Sequence, residues 1–224
     1  MSTQTGPAPT FECSLHGLID DTLLPNLLER LKSLCGLSNE EDVYEHEIVF
    51  VPAVETPIGP ARSEDIVLRL RSSVVNENLN DLNIREWQLC QFGPPEPRLT
   101  GKTVTVRQVT TVKINGKVFD FLSLLGYRMS FEISRKGYCF VFNDILRITV
   151  TQLFRLDQKH DLLSARPLGG ENLWLVEVNS ILIIQEAVVR MAEQFKSFKM
   201  MMTGLVDLEY VDHRALENRI QYTS

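Results

Sequence analysis

Apolar and polar positions change their spacing several times along the chain, and the changes divide it into strands and helices. "TFECSLHGLI" alternates loosely through Phe11, Cys13, Leu15, Gly17 and Ile19, which predicts a strand. Leu24, Leu27, Leu28, Leu31 and Leu34 then recur at helical spacing. That stripe predicts a helix capped by Thr22, with Pro25 in its first turn and Gly36 as its stop. "VYEHEIVFV", "DIVLRLR" (Ile66, Leu68 and Leu70 on one face), "EWQLCQF" and "KTVTVRQVTTVKI" (Val104, Val106, Val112 and Ile114 on one face) read as further strands. The intervening "PAVETPIGPARSE" and "VNENLNDLNIRE" read as loops, and Asn115-Gly116 signals a tight turn. Val118, Phe121, Leu122 and Leu125 predict a short helix ending at Gly126.

The clearest alternation runs from Tyr127 to Leu156. Met129, Phe131 and Ile133 alternate with polar residues, "RKG" and "ND" read as turns, and Leu146, Ile148 and Val150 resume the pattern. This predicts a three-stranded antiparallel meander. After a polar loop, "LWLVEVNS" is the last strong strand, and Ile184, Ala187, Val188, Met191, Phe195, Phe198 and Met202 predict a long helix that stops at Gly204. The expected fold is β-rich α+β: a single domain, an antiparallel curled or closed β-barrel of about eight strands with two main flanking helices. Residues 1–10 are expected as a disordered tail, 11–210 as the barrel-like domain, and 211–224 as a tail or short helix.

Composition narrows the functional classes. With 224 residues and 44% hydrophobic content the chain can bury a core without covalent staples. Its net charge of −6 argues against a broad basic surface for nucleic acid. Cys13, Cys35, Cys90 and Cys139 lack zinc-knuckle or redox-pair spacing, and no apolar run reaches membrane-spanning length. The polar N-terminus has no signal-peptide pattern, so the expectation is a soluble intracellular chain with reduced thiols.

The chemistry worth weighing is in "YEHEIVF". In a strand, Glu45 and Glu47 face one way while His46, Ile48 and Phe50 face the other. The imidazole therefore cannot join the two carboxylates at one metal. A hard cation would need further inward acids on other strands; Glu132 and Glu177 stand alone in theirs. The favoured reading is a salt-bridged strand face with Arg69, Arg71 or Arg147 as partners. Arg135, Lys136, Arg147 and Arg155 read as a solvated sheet face, and Cys139 as a packed core thiol. Phe140 and Phe142 fit core or protein interface better than base stacking. Met200 and Met201, beside Met202, read either as a pliable contact surface or as a helix end fraying into the chain's own core.

The ordered motifs "FECSLHGLIDD", "LLERLKSLCG", "EHEIVFVP", "VLRLR", "WQLCQFGPPEP", "LLGYRMSFEISRKGYCFVFNDILRITVTQLFRL", "WLVEVNS" and "MAEQFKSF" resemble the family of Mediator complex subunit 18 over about residues 11–210. The resemblance implies a barrel-like, non-enzymatic, nuclear coactivator subunit of the Mediator head module without a cofactor. It implies pairing with Mediator subunit 20 in a heterodimer, a docked C-terminal helix of Mediator subunit 8, and a link to RNA polymerase II transcription. The fold is also similar to tunnel-type RNA triphosphatases, which makes a divalent-cation phosphohydrolase using Glu45 and Glu47 the alternative. The expected mechanism is burial against a partner. Val141 and Leu153 are its candidate contacts because they lie opposite the main apolar stripe, with Phe140, Phe142, Met200 and Met201 beside them.

Overall fold

Eight strands hydrogen-bond in a closed cycle in the computed structural model, which describes residues 8–36, 40–53, 55–56, 59–60, 66–75, 81–100 and 102–211. In chain order the strands are β1 (Phe11–Asp20), β2 (Glu40–Pro52), β3 (Glu55–Thr56), β4 (Gly59–Pro60), β5 (Leu68–Ser73), β6 (Trp87–Pro95), β7 (Thr105–Ile114), β8 (Tyr127–Phe142), β9 (Leu146–Leu156), β10 (Ala165–Pro167) and β11 (Leu173–Ser180). The helices are α1 (Leu24–Cys35), α2 (Pro97–Thr100), α3 (Val118–Leu124) and α4 (Val188–Met201). The sheet runs β10-β9-β11-β1-β7-β6-β5-β2-β8, and β8 pairs back onto β9 to close the ring. β10 is an extra strand on β9, and β3 and β4 form a separate small hairpin. The tails expected at residues 1–10 and 211–224 fall outside the described residues, except for 8–10 and 211.

Helices cover the ring from outside. On α1, Leu27, Leu31 and Cys35 are buried, with Leu24, Leu28 and Leu34 packed beside them, so the predicted stripe is the buried face. On α4, Val188, Met191, Phe195 and Phe198 are buried, and Met202 follows at the cap. Both faces meet Phe11, Cys13, Leu15, Phe140, Ile148, Val150, Val176 and Val178 of the strands in one cluster. A second cluster joins Ile48, Phe50, Leu70 and Trp87 to Val118 and Leu122 of α3. Each fully buried leucine or phenylalanine contributes roughly 1.5–3 kcal/mol through area removed from water.

Four expectations change in detail. Thr22 is not the cap of α1: Leu23 holds that position, and Thr22 is drawn back by a hydrogen bond from its N–H to Asp20 Oδ1 at 2.8 Å. Short polar side chains close such local turns without joining the helix. Regular helix α4 begins at Val188, after a 3-10 turn at Gln185–Ala187, and Ile184 is 53% exposed. On α3, Phe121 and Leu125 point outward, while Phe119 sets its ring against Trp87 at 5.7 Å. The "RKG" stretch does not turn the chain, so the meander has two strands and not three; β8 runs unbroken for 16 residues. "ND" does turn it: Asn143 and Asp144 have φ of 52° and 57°, the left-handed pair at the centre of a tight turn closed by the Ile145 N–H donating to the Phe142 carbonyl at 3.2 Å.

Gly137 serves close approach instead of a turn. A Cβ built on it would sit 2.1 Å from the Val150 carbonyl oxygen and 2.9 Å from Thr151 Cα, both backbone atoms that cannot swing aside. Gly137→Ala is therefore expected to destabilise by about 2–3 kcal/mol as the β8–β9 ladder is forced apart. Urea midpoints of the variant and the parent check this; equal midpoints would refute it.

Candidate functional site

Cross-strand register decides what the ring encloses. Glu12 lies opposite Arg107, His16 opposite Glu177, and Glu47 opposite Arg71. Residues directly opposite share a face, and because the apolar faces of the strands are taken by the outer helices, this polar face points inward. It lines a cavity of about 840 Å³. Six cationic side chains (Arg69, Arg71, Arg107, Lys113, Arg135, Arg147) and five carboxylates (Glu12, Glu45, Glu47, Glu86, Glu177) stand along its wall.

The charges interlock. Glu47, 2% exposed, accepts hydrogen bonds from Arg69 Nη1, Arg71 Nε (2.7 Å) and Arg135 Nη2 (3.3 Å). Burial would raise its carboxyl, but the three guanidinium groups outweigh that and hold it below the ordinary value. Arg135 reaches on to Glu177 through Nη1 at 2.9 Å and faces Glu45 at 3.8 Å; Arg147 Nη2 meets Glu45 Oε1 at 3.2 Å. Burial likewise opposes Glu177, yet the His16 hydrogen bond and the charges of Arg135, His16 and Arg71 bring it down to about 2. The expected partners Arg69, Arg71 and Arg147 thus bind the Glu45/Glu47 pair.

Two sequence expectations need correcting here. Arg135, 13% exposed, lines the cavity and is not part of a solvated sheet face, whereas Arg147, also on the cavity lining, stays 50% exposed; Lys136, from the same stretch, lies 4.3 Å over the Tyr44 ring. Inward acids are not limited to Glu45 and Glu47, since Glu12 and Glu177 enter the cavity one per strand from β1 and β11. Single acids on separate strands give no local sequence signal, and only the closed register gathers them. What stands against a cation is the pairing of Glu45, Glu47 and Glu177. Both oxygens of Glu47, Oε1 of Glu45 and Oε2 of Glu177 are engaged by guanidinium groups. These carboxylates do not fit a divalent ion, and no group of three His, Cys, Asp or Glu among the described residues has metal-binding geometry.

His46 faces away from the cavity, as the alternation predicts. Arg85 Nη1 donates to His46 Nδ1 at 2.8 Å, which leaves Nε2–H to donate to Glu132 Oε2 at 2.9 Å. His160 donates to the same carboxylate from its backbone N–H at 2.6 Å and from Nδ1 at 2.9 Å. Against burial, the hydrogen bonds of His160 and His46 hold Glu132 at about 2. This network ties the loop carrying His160 to β2 and β8. Cys139 is buried, and burial raises its thiol, consistent with an inert packed side chain.

The candidate contact residues separate. Phe140 is 0% exposed inside the α1/α4 cluster, which takes it out of direct reach of any partner. Phe142 is half-buried with its ring 5.3 Å from Phe198. Val141 and Leu153 are half-buried and lie opposite Arg147 and Arg135, so they share the cavity-side face. Met200 and Met201 are exposed at the end of α4, where Arg30 Nη1 of α1 donates to the Met201 carbonyl at 3.0 Å. Ile181, Leu182, Ile184 and Val189 are four exposed apolar side chains around the start of α4, of which the helical spacing of the sequence picks out only Ile184, as part of the buried stripe.

The eight strands thus form an antiparallel ring with helices outside and a polar interior in which Glu45, Glu47 and Glu177 are paired with arginines. The chain belongs to the family described as Med18 protein, whose family model matches residues 11–219. It is 26% identical over 216 residues to the Mediator of RNA polymerase II transcription subunit 18 of Danio rerio, covering 96% of each chain. It is 27% identical to the subunit 18 of Yarrowia lipolytica, covering 94% of this chain and 99% of that one. Among solved structures it is similar to a chain of the Schizosaccharomyces pombe Mediator head module, with a TM-score of 0.73, 20% identity, and 90% and 98% of the two chains covered. The Mimivirus capping enzyme triphosphatase shares the fold at a TM-score of 0.53 and 12% identity, covering 88% of this chain and 91% of that one.

Proposed function

We propose that this chain is a non-catalytic scaffold subunit of the Mediator head module, working in the nucleus in RNA polymerase II transcription. The observation that carries this reading is the arginine pairing of the inward carboxylates. A fold shared with triphosphatases is kept, while the oxygens that would hold a reactive cation are occupied. Function then falls to the outer surface, through burial against protein partners. The partners are Mediator subunit 20, as a heterodimer, and a C-terminal helix of Mediator subunit 8. Met200 and Met201 at the exposed end of α4 form the contact surface, with Phe142 of the neighbouring hairpin packed against the same helix through Phe198.

The test is recovery of named subunits from nuclear extract on the tagged chain. Wild type is expected to recover Mediator subunits 20 and 8. The Met200→Asp/Met201→Asp double variant should lose at least one of them while its circular dichroism stays unchanged. Undiminished recovery by the double variant would remove these methionines from the interface. Nucleoside triphosphate hydrolysis with magnesium or manganese, lost in Glu45→Gln, would overturn the scaffold reading itself.

A further inference from the structure

Asn115-Gly116 is the chain's one Asn-Gly pair, and it forms the bend between β7, which ends at Ile114, and α3, which starts at Val118. Both residues are exposed. The Asn115 side-chain amide and the Gly116 N–H make no hydrogen bond among the described residues. The bend's own hydrogen bond runs from the Val118 N–H to the Gly116 carbonyl at 2.9 Å and leaves the Gly116 nitrogen free. Gly116 has φ of 89°, and a Cβ built on it meets nothing within 4 Å, so open solvent lies where a side chain would stand. Glycine also puts no side chain between its nitrogen and the preceding amide. Every other exposed asparagine among the described residues (Asn26, Asn83, Asn143 and Asn172) precedes a residue with a side chain. The N–H of Asn83 is further tied to Asp81 Oδ1 at 2.8 Å.

We propose that Asn115 is a modification site, where spontaneous succinimide formation turns its amide into a carboxylate in the folded protein. The Gly116 nitrogen attacks Asn115 Cγ and gives up its proton. The new N–Cγ bond closes the succinimide ring as the Cγ–Nδ2 bond breaks and ammonia leaves. Water then opens the ring at either carbonyl, which leaves aspartate or isoaspartate at position 115. Water is consumed and ammonia released in equal amounts, with no oxidation or reduction. Lys113 and Lys117, both exposed, stand two residues to either side. Their charge favours the amide anion that attacks and the carboxylate that results. Asn115 and Lys113 both line the cavity, so the reaction adds a negative charge where β7 ends on its wall. Opening toward isoaspartate also inserts a backbone carbon ahead of α3, whose Val118 and Leu122 are buried in the second cluster. The chemistry belongs to this bend alone and does not depend on the assembly role.

Mass-spectrometric peptide mapping of the folded full chain, held at mildly alkaline pH and body temperature, tests it. The peptide holding Asn115 should gain the mass of an amide turned acid and become a substrate for an isoaspartyl methyltransferase. Peptides holding Asn83, Asn143 and Asn172 should stay unchanged over the same time. The rate in the folded chain should lie within about tenfold of the rate in urea, because the fold does not restrain the bend. Gly116→Ala should slow the folded reaction about tenfold or more, since a Cβ then shields the attacking nitrogen. Should Gly116→Ala fail to fold at that φ, Asn115→Gln takes its place. It keeps the glycine but would need a larger ring, and the isoaspartate signal should vanish. A folded rate further below the urea rate would show that the bend protects the pair and would overturn the proposal. So would faster conversion at another exposed asparagine, or a signal undiminished in the variant.

Discussion

Arg135→Met is expected to lower the unfolding free energy by about 3–5 kcal/mol, the usual cost of removing one partner from a buried ion network. Arg135 is 13% exposed and spans Glu45, Glu47 and Glu177, which are 21%, 2% and 15% exposed. Methionine fills much of the space but returns nothing to the three carboxylates. Glu47 keeps Arg69 and Arg71, whereas Glu177 is left with His16 at 3.6 Å, so the loss concentrates at Glu177. A fall in melting temperature on the order of 10 °C follows for a chain of this size. Glu177→Gln added to Arg135→Met should recover part of the loss, because the stranded charge is then gone. A midpoint for Arg135→Met within 2 °C of wild type, taking roughly 1 kcal/mol as the limit, would show that the cavity is wet enough to dispense with the network.

Acid is expected to unfold the protein over the window from about pH 4.5 down to about 2. Glu132 and Glu177 titrate at an ordinary 4.5 when unfolded and at about 2 in the folded chain. The folded state therefore holds fewer protons than the unfolded one between those values. The stability each contributes is fully present above pH 4.5 and is lost as pH falls through the window. Each fall corresponds to about 3 kcal/mol. Urea midpoints measured from pH 7 to pH 2 should stay level above pH 5 and then drop steeply. Glu132→Gln should start lower at pH 7 and show a shallower drop. A Glu132→Gln profile parallel to wild type would mean that the His46–Glu132–His160 network adds nothing across this range.

Most strands and helices could be read from local spacing, because α1, α4 and β2 bury the same stripes their sequences display. The Glu45/Glu47 pairing with Arg69, Arg71 and Arg147 was also legible, since alternation fixed which side chains share a face. Alternation could not say which face becomes the inside of a ring. Here the apolar parity turns outward to meet α1, α3 and α4, and the charged parity turns inward, so Arg135, which alternation alone reads as solvated, lies against the cavity. Gly137 misled for a related reason. A glycine between Lys136 and Tyr138 looks like a turn, and only the neighbouring carbonyl of Val150 reveals why a side chain is excluded. The meeting of Glu12, Glu45, Glu47 and Glu177 depends on pairings between residues more than 90 positions apart. No window along the chain contains that information.

The place of β1 in the ring has a consequence for biosynthesis. This first strand lies between β7 and β11, so its two neighbours emerge from the ribosome about 95 and 160 residues after it does. Until then it presents two bare edges and the apolar side chains of Phe11, Cys13 and Leu15 to whatever is nearby. The ring can be sealed only once β11 has emerged, which leaves the nascent chain dependent on chaperones until then.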